Sequence, residues 1–415
     1  MKSLDDARLG IRAVDDDIAA LFERRMRLVA EIAEYKKAHG LPVRDPAREK
    51  DVLEHGADAI KDETLRGYYL RFLQDEMYLS REYQEELLGE VPRVFFGPLE
   101  DAGKFFNLKR KVLTVTDRGV PVQYPQAILG ASLYGSVLTL PGGESGKSMD
   151  GLQLILKELL GRGFTRGDAV VAVGGGVIGD MAGLAAACYM RGIDFYNVPT
   201  TLLAQVDASV GGKTAVNLGG IKNVVGVFRQ PAGVLVDTSV LRTLSPRLFA
   251  EGMAELVKIA ATSDASLFER IESSTDLQSD LGPMIRDSLA LKMSVVRQDP
   301  FEHGERAVLN FGHTVGHAIE AASAGQFFHG ECVAMGMLYM ASGQARERLE
   351  ALLGRLGLPL KDPFDADTLM RYAVSDKKKR DNGFRVIEVS RIGTHEFRTI
   401  GVDELRSIIV NRKSQ

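Results

Sequence analysis

Two histidines stand four residues apart in "RAVLNFGHTVGHAIE" (306–320): His313 and His317. At helical spacing both rings lie on one face. The pair is open to three readings: two ligands of one metal ion, one ligand beside one acid–base group, or two polar residues on a helix. Further donors occur on either side of it. "FAEGMAELVKIA" (249–260) carries Glu255 and Lys258 on one helix face, and "FHGECVAMGMLYMASGQA" (328–345) sets His329 at the start of an apolar helix. Glu255, His313 and His329 make a two-histidine, one-carboxylate set, which leaves a position on a divalent ion open for substrate. Cys332, a turn after His329, is a rival ligand by type but reads as a small core residue.

A second chemistry is suggested by glycines and lysines. "AVVAVGGGVIGDMAGLAAACYMRG" (169–192) reads as strand, glycine turn and helix, and Gly174, Gly176 and Gly179 fit G-x-G-x-x-G. Such glycines let the backbone approach a pyrophosphate whose charge meets the helix N-terminus. The alternative is a tight strand-to-helix turn with no ligand. The order departs from the simplest dinucleotide unit: Asp180 follows the glycines at once, and the acid that would hold a ribose, Asp117, closes an earlier strand, "KVLTVTD" (111–117). "VPTTLLAQVDASVGGKTAVNLGGIKNVVG" (198–226) places Lys213 and Lys222 among glycines and hydroxyls, with Asn223 adjacent, and "GGESGK" (142–147) adds Glu144 and Lys147. Lysines in such turns suit an anion better than ordinary surface lysines do.

A third candidate site lies near the start of the chain. Leu4, Ala7, Ile11, Val14, Ile18, Leu21, Leu28, Ile32 and Tyr35 alternate at spacings of three and four, but Arg25 fills one slot of that stripe. Arg8 lies near the same face and Lys36 follows one turn after Ile32. A cation on an apolar stripe is costly unless an anion meets it. It is met either by a carboxylate of the chain, as an internal ion pair, or by a small polyanion held by Arg8, Arg25, Lys36 and Arg48.

These residues need three frameworks to position them. The chain has 415 residues, enough for two or three cores. Only five of its 43 glycines fall in residues 1–90, a charge-dense helical stretch. The first helix should run from about residue 4 to 39, roughly 50 Å, ending at Gly40 with Pro42 beyond. Two more should follow near 46–58 and 62–88. So small a domain cannot cover such a helix, so two copies are expected to pair along it. A composition break at "LLGEVPRVFFGP" (87–98) divides this all-α domain (1–90) from an α/β, Rossmann-like domain (93–240), which is followed by a mainly helical domain (241–415) carrying the metal set. Apolar content of 45%, charged content of 26% and a net charge of -4 describe an ordinary globular protein and give no reason to expect nucleic acid. The apolar runs are too short to span a bilayer. The polar start "MKSLDDARLG" does not read as a signal peptide, and two cysteines alone fit a reducing cytoplasm.

Two resemblances sharpen this reading. Residues 4–88 resemble the all-helical chorismate mutase family, which rearranges chorismate to prephenate. The family's substrate contacts carry over onto Arg8, Arg25, Lys36, Asp45, Arg48, Glu49 and Gln84. The resemblance implies that cations hold two carboxylates in the reactive geometry, with Gln84 and Lys36 at the ether oxygen. Relatives fused to other shikimate-pathway enzymes can also serve as effector-sensing modules, so a binding or dimerisation role is the alternative.

Residues 95–400, through "GGGVIGD", "PTTLLAQVDASVGGKTAVN", "GMAELVK", "NFGHTVGHAIE" and "HGE", resemble 3-dehydroquinate synthase. That family implies NAD, a zinc or cobalt ion on Glu255, His313 and His329, and 3-deoxy-arabino-heptulosonate 7-phosphate as substrate. Oxidation at C5 acidifies the neighbouring C–H, phosphate leaves by elimination, the ketone is reduced again, and an aldol step closes the ring. In this pattern His317 serves substrate phosphate and proton transfer. Lys213, Asn223, Asn310, Lys377 and Arg191, the last from either subunit, join it at the phosphate. Lys292 and Arg306 take the carboxylate, with Asp207 and Lys258 near the reacting hydroxyls. Asp117, Glu144, Lys147, Gly176, Gly179, Asp180, Thr200, Thr201 and Lys222 should meet the cofactor. Arg118 stands where the family more often has an uncharged polar residue. Arg306, Asn310 and His317, where related cyclases differ, agree with the dehydroquinate enzyme. The rival is an NAD-dependent metal alcohol dehydrogenase, which would accumulate NADH. A cytoplasmic homodimer, joined through both the helical and the synthase parts, is expected.

Overall fold

The structure, a computed structural model, describes residues 3–39, 41–43, 45–88, 92–302, 304–377 and 383–413. The chain forms two compact units, Met1–Pro92 and Arg93–Gln415.

The first unit has three helices: α1 (Leu4–His39), α2 (Pro46–Ala59) and α3 (Glu63–Leu88). Asp45 caps α2 by accepting from the Arg48 amide, and Pro46 fills the first turn, where its missing N–H costs nothing. The 36 residues of α1 bury only Val29 and Ala33. Most of its periodic apolar stripe is left uncovered within the chain: Leu4 is 66% exposed, Leu21 63% and Ile18 45%.

The second unit is built on a six-stranded parallel sheet in the order β1-β8-β5-β4-β2-β3. The strands are β1 (Val94–Phe96), β2 (Lys111–Asp117), β3 (Tyr134–Leu140), β4 (Ala169–Gly174), β5 (Asp194–Pro199) and β8 (Gly233–Val236). Strand β4 is buried along its whole length, as a central parallel strand covered on both faces must be. Helices α4 (Ala102–Phe105), α5 (Gln123–Ala131), α6 (Met149–Gly161) and α7 (Gly176–Cys188) supply the cover. From β2 the chain steps outward to β3 and then returns to the other side of β2 at β4. That reversal is the switch point where α/β sheets bind ligands beyond their strand ends. Between β5 and β8 an antiparallel hairpin, β6 (Lys213–Leu218) with β7 (Ile221–Phe228), projects from the sheet.

The remaining helices are α8 (Pro246–Ser263), α9 (Ala265–Ser273), α10 (Leu277–Gln298), α11 (His313–Ser323), α12 (His329–Met340), α13 (Gly343–Arg355), α14 (Ala366–Lys377) and α15 (Val402–Lys413). A two-stranded ribbon, β9 (Phe384–Glu388) with β10 (Glu396–Ile400), joins them. Helix α8 is buried from Gly252 to Thr262 and forms the axis of their core. The expected division at 240/241 falls inside a 3-10 turn, Thr238–Thr243, and the sheet and the helices form one compact unit.

Candidate active site

Close helix packing brings the proposed metal donors together. A Cβ at Gly330 on α12 would lie 2.2 Å from the Glu251 carbonyl of α8, and one at Gly336 would lie 2.0 Å from the Gly312 carbonyl before α11. Only hydrogen fits in these gaps, so α8, α11 and α12 approach more closely than side chains would allow. Glu255 from α8, His313 from the start of α11 and His329 from the start of α12 then converge, with their donor atoms within 4.8 Å of one another. Glu255 Oε1 is buried with no hydrogen-bond partner. It lies 3.9 Å from His313 Nε2 and 3.7 Å from His329 Nε2. The opposite ring nitrogens are occupied: His313 Nδ1 by the Phe311 carbonyl at 3.1 Å, and His329 Nδ1 by Glu320 Oε2 at 3.1 Å. Both Nε2 atoms are thus turned toward one orphan carboxylate oxygen, an arrangement that fits a divalent cation. Burial holds the His313 pKa well below its usual range, helped by Lys258 and the other two histidines, so its ring stays neutral. Burial also works against a charged His329, but Glu320 and Glu255 outweigh it and raise its pKa.

Cys332 lies in the core with its thiol pushed up to about 12, first by burial and then by Glu320 and Glu331, so it does not offer a thiolate. His317 is exposed, its ring 5.2 Å from that of His313 and 5.8 Å from that of His329.

Buried cations surround the cluster. Lys258, 1% exposed, pairs with Glu255. Lys292 on α10 reaches Asp207 Oδ1 at 2.6 Å. Asp207 sits in a short π-helical stretch, Ala204–Ala208. Burial opposes its charge, but Lys292 and Lys258 overcome this and hold its carboxyl below the usual range. Arg306, 2% exposed, donates to the Gly211 carbonyl at 2.9 Å and the Pro300 carbonyl at 2.7 Å, while its Nε has no partner. Glu302, which the sequence reading passed over, holds the anion-binding residues Lys213 and Asn310 together. It pairs with the Lys213 ammonium and accepts from Asn310 Nδ2 at 2.7 Å. A carboxylate therefore stands among the groups expected to take phosphate.

The glycine turn follows β4 at the switch point. Helix α7 begins at Gly176, and its cap residue, Gly175, makes no side-chain cap bond. A Cβ at Gly176 would come within 3.1 Å of Ala208 Cβ, so a side chain there would crowd the turn. Asp117 ends β2 beside Gly142, and Thr200 and Thr201 follow β5. Lys147 pairs with Asp180 and donates to Asn223 Oδ1 at 2.5 Å, and Glu144 accepts from Asn217 Nδ2 at 2.8 Å. Lys222 pairs with Glu320 at 2.6 Å. Glycine backbone, an uncapped helix start and an acid at the carboxyl end of β2 fit a dinucleotide.

Arg191 lies elsewhere. It follows α7 in a turn where Met190 and Arg191 both have positive φ, 51° and 68°, at the amino ends of β4 and β5. The glycine turn is at their carboxyl ends, so Arg191 does not reach this site within its own chain. The side chain of Lys377 falls outside the described residues.

In the helical unit, α3 gathers part of the third set. Arg25 pairs with Glu76 at 3.1 Å and donates to Ser80 Oγ, and Glu49 of α2 pairs with Arg81. Gln84 is buried, donates to the Ser80 carbonyl at 3.2 Å, and keeps Oε1 without a partner. Lys36 donates to the Val43 carbonyl. Two members of the set do not join them. Arg48, 71% exposed, pairs with Asp51 on its own helix, and Arg8, 69% exposed, pairs with Asp5. Arg8 precedes Arg25 by 17 residues on one helix, about 25 Å at 1.5 Å per residue. A pocket holding both arginines therefore cannot form within one chain. The sequence reading also missed Glu76, Ser80 and Arg81, whose contacts with α1 and α2 are long-range. No helix among the described residues is long and apolar enough to cross a membrane.

A switch-point glycine turn joined to a buried carboxylate–histidine cluster places the second unit in a class of α/β metalloenzymes. Solved structures agree. A 2-deoxy-scyllo-inosose synthase complexed with carbaglucose-6-phosphate, NAD+ and Co2+ is 29% identical at a TM-score of 0.70, covering 76% of this chain and 95% of its own. A 2-epi-5-epi-valiolone synthase from Streptomyces hygroscopicus with NAD+ and Zn2+ bound is 26% identical at 0.72, covering 78% and 97%. A probable glycerol dehydrogenase from Sinorhizobium meliloti, 18% identical at 0.51, covers 78% and 97% and shares the fold alone.

The family models for the N-terminal and C-terminal parts of 3-dehydroquinate synthase match residues 137–251 and 252–379. The 3-dehydroquinate synthases of Enterococcus faecalis and Geobacter metallireducens are 39% and 42% identical, covering 72% and 75% of this chain and 89% and 93% of their own. The chain belongs to the 3-dehydroquinate synthase family. Residues 7–85 match the type II chorismate mutase family, so the chain fuses two enzyme families of the shikimate pathway.

Proposed function

We propose that the second unit converts 3-deoxy-arabino-heptulosonate 7-phosphate to 3-dehydroquinate and phosphate, with NAD at the glycine turn and zinc or cobalt on Glu255, His313 and His329. The observation that carries this reading is the orphan Glu255 Oε1 facing two Nε2 atoms amid buried cations. When bound, the nicotinamide takes and returns one hydride, and the ion polarises the hydroxyl being oxidised. Asp117, Glu144, Lys147, Gly176, Gly179, Asp180, Thr200, Thr201 and Lys222 hold the cofactor. Lys292 and Arg306 fix the substrate carboxylate, while Asp207 and Lys258 order the reacting hydroxyls. Lys213, Asn223, Asn310 and Lys377 bind phosphate with His317, which also moves a proton. Arg191 reaches this site from a second copy of the chain, because its own sheet separates it from the glycine turn.

The helical unit, in this reading, rearranges chorismate to prephenate using Arg25, Lys36, Asp45, Arg48, Glu49 and Gln84, with Arg8 supplied by a second copy. The exposed stripe of α1 supports such pairing, since contiguous exposed apolar surface marks an interface. The protein is then a cytoplasmic homodimer joined through both parts. The test follows phosphate release from the heptulosonate together with NADH absorbance. Phosphate released without lasting NADH supports the synthase, and NADH accumulating with product points to a dehydrogenase. Steady turnover of chorismate distinguishes a mutase from a sensing module.

A further inference from the structure

Among the described residues of the second unit, Glu320 is a carboxylate that touches both proposed ligand sites. It lies on α11 seven residues after His313 and three after His317, on their face of the helix. Its two oxygens are divided. Oε2 accepts from His329 Nδ1 at 3.1 Å, on the side of the ring away from Glu255. Oε1 accepts from the Lys222 ammonium at 2.6 Å. Lys222 belongs to β7, and its neighbour Asn223 accepts from Lys147, which pairs with Asp180 in the helix after the glycine turn. Two polar links, Asp180–Lys147–Asn223 on the side of the glycine turn and Lys222–Glu320–His329 on the side of the metal set, thus meet at adjacent residues of β7.

The two ends of the Glu320–Lys222 pair differ in mobility. The Lys222 side chain is 53% exposed and the Glu320 side chain 17%. A half-exposed lysine leaves a carboxylate at little cost, whereas Glu320 is fixed by its helix and by His329.

We propose that Glu320 is a positioning residue that couples metal affinity to occupancy of the glycine turn. This rests on the assignment of the divalent ion and NAD made above. With the turn empty, Lys222 draws on the Glu320 charge and weakens its hold on the His329 N–H. When Lys222 turns to the bound dinucleotide, Glu320 accepts from His329 alone, and His329 Nε2 becomes the stronger donor. Metal and dinucleotide therefore raise each other's affinity, and by linkage they do so by the same factor.

The test uses the full chain stripped of metal. Zinc affinity is measured by competition with a fluorescent chelator, with and without saturating NAD+, in the parent and in Glu320→Gln. NAD+ affinity is measured with and without zinc. The parent should bind zinc several-fold more tightly with NAD+ present and show the same factor in the reverse titration. Glu320→Gln should bind zinc about 10- to 100-fold more weakly, and its zinc affinity should ignore NAD+. Glu320→Asp, which keeps the charge, should recover part of both effects, and circular dichroism should report an unchanged fold in both variants. Parent-like zinc affinity in Glu320→Gln, or a full NAD+ response in that variant, overturns the proposal while leaving the site assignment intact. A parent chain that binds neither zinc nor NAD+ overturns the site assignment and the proposal with it.

Discussion

Arg25 in the helical unit and Lys258 in the second unit are both cations paired with a glutamate. The Arg25 and Glu76 side chains are 33% and 15% exposed, those of Lys258 and Glu255 2% and 1%. The buried pair persists only because its neighbours share its charge. Burial disfavours the Lys258 ammonium, yet Glu255 and Asp207 outweigh this and raise its pKa, and Lys292 in turn balances Asp207. Nearly all of that site is prearranged by one chain. The helical site is half-built: Gln84 Oε1 has no partner, Arg8 points to another place, and the stripe beside it is bare. Charged pockets can be organised by burial within one fold or completed by a second copy, and the proposed function assigns one route to each unit.

The most severe way to break the contrast is His313→Ala. It should remove the metal and lower phosphate release by about a thousandfold or more, while chorismate turnover is unchanged. His317→Ala should keep the metal, by elemental analysis, yet lose rate. Equal metal in both variants would undo the division of roles. Next in size is Arg25→Met, which should lower chorismate turnover by about 100- to 10,000-fold, the loss of one charge-assisted substrate contact, and spare phosphate release. Because Glu76 then keeps no arginine, the melting temperature should fall slightly rather than rise. A neutral change in chorismate turnover would reduce Arg25 to a structural ion pair.

Mixed dimers test the half-built character directly. Arg8→Ala and Arg25→Met, each inactive as a mutase, should regain roughly a quarter of the parent activity when co-expressed, since half the random dimers hold one intact pocket of two. No recovery would mean that the pocket does not span two chains. The smallest effect is expected at Glu302. Glu302→Gln should let inorganic phosphate inhibit a few-fold more tightly, because a competing carboxylate leaves Lys213 and Asn310. Burial opposes the Glu302 charge, but Lys213, Asn310 and Arg306 outweigh it and lower its pKa below 4.5. Its stabilising share is therefore present above that pH and fades as acid titrates it, so the variant should lose less stability on acidification in thermal melts.

Much of the framework was legible because it follows local rules. The run at 111–117 is strand β2, the glycine triplet starts α7, and α1 ends at His39. The acids that complete the sites were not legible. Glu302 meets Lys213 across 89 residues and Glu320 meets Lys222 across 98, distances over which no periodicity reports. Glu320 did leave one trace, its three-residue step from His317, and could have been read as a third member of that face. The stripe on α1 was read correctly as apolar, but the sequence could not show that Val29 and Ala33 would be buried while Leu4, Ile18 and Leu21 stay exposed.

The glycine contacts of the three helices that carry the proposed metal ligands have a genetic consequence. Every amino acid one base away from a glycine codon carries a Cβ, and at Gly330 and Gly336 that atom would sit 2.2 and 2.0 Å from a backbone carbonyl. These codons have no tolerated missense neighbour. A random mutational library selected for growth without aromatic supplements should therefore return only synonymous changes there, although neither residue is among the proposed ligands.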